Sequence, residues 1–319
     1  MHEFELIQKY FSKISFNNKH ALNLNDDVFF DKKKGLVISV DTYNEGGHFL
    51  NFKKPNFVIK KIIRSSISDL VCKGVVPKFY FISASGNKQS FSKKNLLSIS
   101  NSLDQEQKKF KILLCGGDTT FSNKLSFSIT SVGYSKSIIY RNRAKINDDV
   151  YVTGDLGDSF VGLQILKKKI NFTKKINNYF INKYYHPDIQ ISLAKKLLIF
   201  ANTSIDISDG LLTDLDKMLN NQNYSYQIHE DKIPISKYLS DLIKDCKFKK
   251  SKLISNGDDY QILFTASINK SRIIERTSSI LGIKITKIGK IIPGHKKSSM
   301  IDQKSKQILV KNKGYIHQF

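Results

Sequence analysis

The sequence predicts a two-domain α/β chain of mixed, α+β character, and three observations carry that prediction. At 319 residues the chain exceeds one ordinary core and suits two domains, each large enough to bury an apolar interior. Short β-like runs alternate with longer stretches of helical spacing through both halves. Each half also carries acidic residues at the ends of apolar or glycine-bounded runs, which is compatible with two α+β domains facing a shared cleft.

The elements follow in order. Leu36-Val37-Ile38-Ser39-Val40 is β-like and Asp41 closes it. Residues 56–73 place Ile59, Ile62, Ile63, Ile67, Leu70 and Val71 at helical spacing with Lys60, Lys61 and Arg64 between them, which predicts an amphipathic helix carrying Asp69 near its end. A strand over 78–84, a polar helix over 92–110 and an apolar strand over 112–117, closed by Asp118, come next. Alternation at Leu125, Phe127 and Ile129 predicts a further strand, and the first domain is expected to end near 136–139, giving domains of 1–137 and 138–319. The second opens with a strand over 150–153, the loop Gly154-Asp155-Leu156-Gly157-Asp158 and a helix carrying Val161, Leu163, Ile165 and Leu166. Helices are expected over 188–200, 209–221 and 236–245, and strands over 203–207, 224–228, 260–265 and 284–291. There is no short-period repeat.

Composition excludes several classes. An apolar fraction of 40% and a charged fraction of 25% fit a soluble globular protein, and no apolar run reaches the roughly 18 to 20 residues that span a bilayer. The start lacks a basic segment followed by an apolar one, so no secretory signal is expected. Cys72, Cys115 and Cys246 show neither pairing nor metal-ligand spacing, and Cys115, in an apolar run, reads as a buried free thiol of a reduced compartment, the cytoplasm. The net charge of +24 comes from 47 lysines against five arginines, and the lysines are spread along the chain. Runs such as Lys32-Lys33-Lys34, Lys167-Lys168-Lys169 and Lys249-Lys250 read as solvated turns and helix ends, so no specific nucleic acid is expected.

Against that basic background, Asp27, Asp41, Asp69, Asp118, Asp206, Asp209 and Asp258 are conspicuous. Carboxylates gathered where strands stop are well placed to share hard divalent cations, which favour oxygen ligands. That points to metal-assisted chemistry on phosphates. Taken singly, each acid also has a plain reading: Asp26 or Asp27 shapes a turn, and Asp209 caps the helix that follows Gly210.

The neighbours of these acids form an ordered set. Asp41-Thr42-Tyr43-Asn44-Glu45-Gly46-Gly47-His48-Phe49, Ser68-Asp69-Leu70, Gly116-Gly117-Asp118-Thr119-Thr120, Thr153-Gly154-Asp155-Leu156-Gly157-Asp158-Ser159, Ser204-Ile205-Asp206-Ile207-Ser208-Asp209-Gly210-Leu211 and Gly257-Asp258-Asp259-Tyr260 occur in this sequence. Phe4-Glu5-Leu6-Ile7 and Gly314-Tyr315-Ile316-His317-Gln318-Phe319 stand at the two ends. In order and approximate spacing the set resembles the thiamine-monophosphate kinase family. The resemblance implies an aminoimidazole ribonucleotide synthetase-like fold, with the N-terminal sheet forming a barrel across a homodimer and a C-terminal α/β domain completing the active site. It implies transfer of the γ-phosphoryl group of ATP to thiamine monophosphate, giving thiamine diphosphate and ADP.

By matching position, the resemblance assigns several Mg²⁺ ions to Asp27, Ser39, Val40, Asp41, Asp69, Asp118, Asp206 and Asp209. It assigns ATP to Gly117, Asp118, Arg141 and Ser208, and the thiamine substrate to His48, Asp258 and Tyr315. A guanidinium fork at Arg141 suits bidentate phosphate contact. The accepting phosphate, with a second pKa of ~6, is largely deprotonated at neutral pH, so no general base is required. The chain departs from the family pattern at four places: Asn25 stands for glycine, Val40 for threonine, Asn256 for glycine and Asp258 for glutamate. Val40 offers only its backbone carbonyl, and Asp258 is one methylene shorter. Another ATP-dependent enzyme of the same fold, of synthetase type, is the alternative. Selenophosphate synthesis would call for a reactive cysteine near the N-terminus, and none precedes Cys72. A nonenzymatic basic nucleic-acid binder would leave the ordered acidic motifs unexplained.

Overall fold

The computed structural model describes residues 3–16, 18–245, 248–310 and 312–315, so Met1, His2, Cys246 and the terminal motif at 316–319 lie outside the described residues. After a one-turn helix α1 (Glu3–Leu6), a π-helical turn over Ile7–Phe11 and short 3₁₀ turns, the first half builds a five-stranded sheet in the order β1-β2-β5-β3-β4. Its strands are β1 (Phe29–Asp31), β2 (Leu36–Asn44), β3 (Pro77–Gly86), β4 (Leu113–Phe121) and β5 (Ser126–Tyr134). Helices α2 (Pro55–Cys72) and α3 (Lys93–Phe110) connect them.

Pro55 starts α2 at a position where the missing N–H is no loss. The helix ends where Gly74, at φ +82, lets the Val75 N–H turn back to the Leu70 carbonyl at 2.9 Å. Along β2, Val37, Ser39 and Tyr43 are buried beneath α2, while Val40 on the alternate face is exposed. Helices therefore cover one face of this sheet. The opposite face shows Val40 and Phe81 to solvent, and all nine residues of β4 are exposed, Leu113 at 59% and Phe121 at 75%. Cys115 is exposed with its strand and not a buried thiol.

The second half forms a seven-stranded mixed sheet in the order β12-β11-β8-β10-β6-β9-β7. Its strands are β6 (Asp149–Thr153), β7 (Thr203–Asp206), β8 (Tyr224–His229), β9 (Ile262–Ala266), β10 (Ile285–Pro293), β11 (Ser299–Ile301) and β12 (Gln307–Ile308). Among them run α4 (Asp158–Leu166), α5 (Lys174–Tyr185), α6 (Ala194–Phe200), α7 (Leu211–Met218), α8 (Lys237–Lys244), α9 (Lys250–Ile254) and α10 (Ser271–Leu281). Both faces are covered: Leu211, Leu215 and Met218 of α7 pack on Val150, Ile205 and Leu263, while Leu197 of α6 and Ile274 of α10 join Tyr151 and Phe264 on the other face.

Four expectations need correction. Strands β2 and β4 run through Asp41 and Asp118 to Asn44 and Phe121, so these two acids stand inside strands and not at their ends. The helix expected over 188–200 begins only with a 3₁₀ turn at Ile191–Leu193. Helices α5, α9 and α10 have no counterpart among the elements expected from the sequence. Finally, α2 is not amphipathic in the expected sense, because Lys61 and Arg64 are buried with its apolar residues. Both sheets send elements against α2, and Val71 and Cys72 at its end join the core of the second half. Arg64 pairs with Glu106 of α3 through bonds of 2.8 and 3.0 Å.

Candidate active site

The carboxylates gather where α2, β2 and β7 meet. Ser39 and Asp41 share the helix-facing side of β2, and Asp69 lies one turn from the end of α2. Asp206 closes β7. The Ser39 hydroxyl donates to Asp69 at 2.5 Å and the Ser68 hydroxyl to Asp206 at 2.5 Å, which joins the two halves of the chain. Burial pushes the Asp41 carboxyl up to about 7, and the charge of Asp206 adds to the effect. Asp69 and Asp206 are raised for the same first reason, burial, and at Asp69 the charges of Asp41 and Asp206 reinforce it. Among the described residues Asp41 Oδ2 is shielded from water with no hydrogen-bond partner. Three crowded carboxylates with an unsatisfied oxygen are what a cation would relieve.

A second acidic group is already neutralised by protein. Lys73 Nζ lies 2.7 Å from Asp26 and 2.8 Å from Asp27, and it is wholly buried. Arg141 holds Asp27 through its guanidinium, with Nε donating at 3.1 Å, and its backbone N–H donates to Asp26 at 2.9 Å. Asp209 is paired with Lys217, and Asp214 accepts the N–H groups of Asp209 and Gly210 at 2.9 and 3.0 Å. Among the described residues no three His, Cys, Asp or Glu side chains are arranged to hold a metal ion by themselves.

The residues matched to the thiamine substrate lie around a third group. Asp258, at φ +69, is bound by Lys61 at 2.6 Å and by the Tyr260 hydroxyl at 3.1 Å, and the buried Lys61 ammonium sits 3.7 Å from the Tyr184 ring centroid. The shorter side chain of Asp258 is thus anchored to α2. His48 Nδ1 accepts the Asn44 N–H at 3.0 Å, so the neutral ring carries its proton on Nε2, and the Tyr184 hydroxyl donates to the His48 carbonyl at 3.3 Å. The loop of Ser208 is zipped to that of Asp258: Asp258 N–H donates to the Ser208 carbonyl at 2.8 Å, and a Cβ on Gly257 would fall 1.7 Å from the same oxygen. Tyr315 N–H donates to the Asp209 carbonyl at 2.9 Å, which ties the C-terminal segment to this loop.

Asp118 stands apart. The pairings Asp41↔Ile129, Ile129↔Ile82 and Ile82↔Gly117 place Gly117 three strands from Asp41, about 14 Å at ordinary strand spacing. Gly117 is there for a backbone reason, since a Cβ would fall 1.8 Å from the Ile82 carbonyl oxygen. The structure therefore brings together Asp27, Ser39, Asp41, Asp69, Asp206 and Arg141, and separates Gly117 and Asp118 from them within one protomer. Sequence reasoning missed Asp26, Lys61, Ser68, Lys73, Tyr184 and Lys217. The adjacency of Asp26 to Asp27 and of Ser68 to Asp69 was a usable signal, whereas the lysines had none.

Residues 24–135 match the model of AIR synthase related protein, N-terminal domain. Thiamine-monophosphate kinase of Buchnera aphidicola subsp. Acyrthosiphon pisum (strain APS) is 36% identical over 329 aligned residues, covering 99% of this chain and 98% of its own. The chain belongs to the thiamine-monophosphate kinase family. The Escherichia coli (strain K12) thiamine-monophosphate kinase is 30% identical, covering 91% of this chain and 90% of its own. The solved structure of AaThiL complexed with AMPPCP and TMP superposes with a TM-score of 0.84 at 27% identity, covering 99% of this chain and 97% of that one. The E. coli hydrogenase maturation protein HypE shares the fold, with a TM-score of 0.68 at 14% identity. Like other members of its family, this chain has an AIR synthase-related fold with two sheets.

Proposed function

We propose that this protein is a thiamine-monophosphate kinase that moves the γ-phosphoryl group of ATP in line onto the phosphate of thiamine monophosphate, giving thiamine diphosphate and ADP. The carrying observation is the convergence of Asp41, Asp69 and Asp206, with Asp41 Oδ2 unpaired, in a chain that aligns end to end with kinases of that name. AaThiL is complexed with an ATP analogue and TMP, which supports ATP and thiamine monophosphate as the co-substrates.

Asp41, Asp69 and Asp206 are the side chains that would hold Mg²⁺, with Ser39 and the Val40 carbonyl beside them. Mg²⁺ is ordinarily held by one or two carboxylates plus substrate phosphates, not by an all-protein cage, so the phosphates of the two substrates would supply the remaining ligands. Bound there, it would screen the two polyanions from each other and stabilise charge on the transferring group. The protein's own part is positioning. Arg141 and Ser208 would contact the nucleotide, and His48 would lie against the thiamine substrate beside Asp258 and Tyr315.

The site is completed by a second copy. Among the described residues, Ser39–Asn44 of β2 pair only with β5, because β1 covers no more than Leu36–Ile38. The outer edge of β4 is open as well. Joining each open β2 edge to the partner's β4 closes two sets of four long strands into a barrel, buries the exposed apolar face and brings the partner subunit's Gly117 and Asp118 toward Asp41. On this reading the domains are 1–137, for dimerisation and metal, and 138–319. A cytoplasmic location fits the free Cys72 and Cys115.

The test is incubation of purified protein with ATP, Mg²⁺ and thiamine monophosphate. Thiamine diphosphate is the expected product, and its absence overturns the assignment. Asp41→Asn is expected to abolish turnover while the protein stays folded by circular dichroism; full activity would remove Asp41 from the site.

A further inference from the structure

The Asp26–Asp27 turn enters the site with every carboxylate oxygen already engaged by protein donors. Lys73 meets one oxygen of each acid, at 2.7 Å for Asp26 and 2.8 Å for Asp27, and gives a further hydrogen bond to the Ser204 carbonyl at 2.8 Å. The three donors of an ammonium are thereby all spent on oxygens. Arg141 takes both oxygens of Asp27, and its backbone N–H takes the remaining oxygen of Asp26. The two positive groups balance the two acids. Asp69 and Asp206, by contrast, receive serine hydroxyls at 2.5 Å, and Asp41 Oδ2 receives nothing.

We infer that the Lys73 ammonium stands in for a divalent cation at the Asp26–Asp27 end of the carboxylate cluster, so that Asp27 is not a metal ligand in this enzyme. A cation entering at Asp27 would have to displace both Lys73 and Arg141. Lys73 cannot swing away readily: its backbone N–H bonds the Leu70 carbonyl at 3.2 Å, at the end of α2, and its side chain has no exposed surface. An all-oxygen surround with two carboxylates is also the surround a hard cation selects, and here a covalently attached charge fills it. Among the acids at the junction of α2, β2 and β7, metal binding is thereby left to Asp41, Asp69 and Asp206, next to the open strand edge. This inference rests on the Mg²⁺-dependent kinase reading, but it concerns the number of ions bound and not turnover.

The experiment is a Mn²⁺ titration of the full-length protein, with a nonhydrolysable ATP analogue and thiamine monophosphate present, in which free Mn²⁺ is read by electron paramagnetic resonance. Asp27→Asn is expected to leave the number of bound ions unchanged. Lys73→Met is expected to raise it by one and to give a protein whose Tm climbs with Mn²⁺ more steeply than the wild type does. Loss of an ion in Asp27→Asn overturns the inference, as does an unchanged count in Lys73→Met. Should Lys73→Met fail to fold, Lys73→Gln keeps a donor for Ser204 without the charge and is expected to show the same extra ion; an unchanged count again overturns the inference. Failure of the kinase reading has a separate signature, the absence of thiamine diphosphate from the wild-type reaction.

Discussion

Asp158 shows what a single buried acid does to this protein. It opens α4 and is nearly inaccessible, with Ser236 Oγ donating at 2.7 Å and Tyr179 Oη at 2.8 Å. Burial pushes its carboxyl up to about 6, against the lowering effect of those hydroxyls. The folded state therefore holds this proton over a pH range in which the unfolded chain, at the ordinary value near 4, has lost it. Stability from Asp158 is present at low pH and is lost as pH rises from about 4 through about 6, by up to ~3 kcal/mol. Asp158→Asn, whose amide oxygen accepts from one hydroxyl while its N–H donates to the other, is expected to abolish that loss and to be more stable than wild type at pH 7.5. Urea unfolding at pH 5 and 7.5 checks it, and an unchanged pH dependence counts against Asp158 as its source. At this scale the acids of the site were legible because carboxylates are rare in so basic a chain, whereas Lys61 and Lys73 were not. Forty-seven lysines hide the two that are buried among the described residues, since nothing in the one-dimensional pattern separates a lysine facing Asp27 from one facing water.

Elements were legible where apolar residues kept their period. Strands β2, β5 and β6 and helix α3 could be read from alternation or spacing, but α5 could not: its first turns are Lys, Asn and Ile, and only Phe180, Tyr184 and Tyr185 are buried. The interior of α2 was misread because Lys61 and Arg64, taken as part of its polar stripe, are buried against Asp258 of the second half and Glu106 of α3, contacts no local pattern records. Strand β4 presents the opposite case, an apolar run that the single protomer leaves exposed. Replacing Leu113 and Phe121 with lysine touches exposed side chains, so it should alter the stability of one protomer by roughly 0.5 kcal/mol or less per site. The same pair of substitutions is expected to convert a dimer to a monomer by light scattering. A variant that stays dimeric would place the interface elsewhere.

For the whole molecule, the ordered motifs made the family and its two-sheet fold legible from end to end, because each motif sits where two elements must meet. The proposed sharing of site residues between copies was not legible, since it depends on which strand edges the fold leaves open. The three-strand distance between Asp41 and Gly117–Asp118 has a genetic counterpart. Asp41→Asn and Asp118→Asn are each expected to be inactive alone, yet co-refolding equal amounts should restore about a quarter of wild-type activity, because half of the dimers are mixed and each mixed dimer gathers both lesions into one of its two sites. No restoration would mean that both acids serve the same site from one chain. A distance between two strands thus becomes a rule of inheritance, in which two defective alleles complement each other within a single gene.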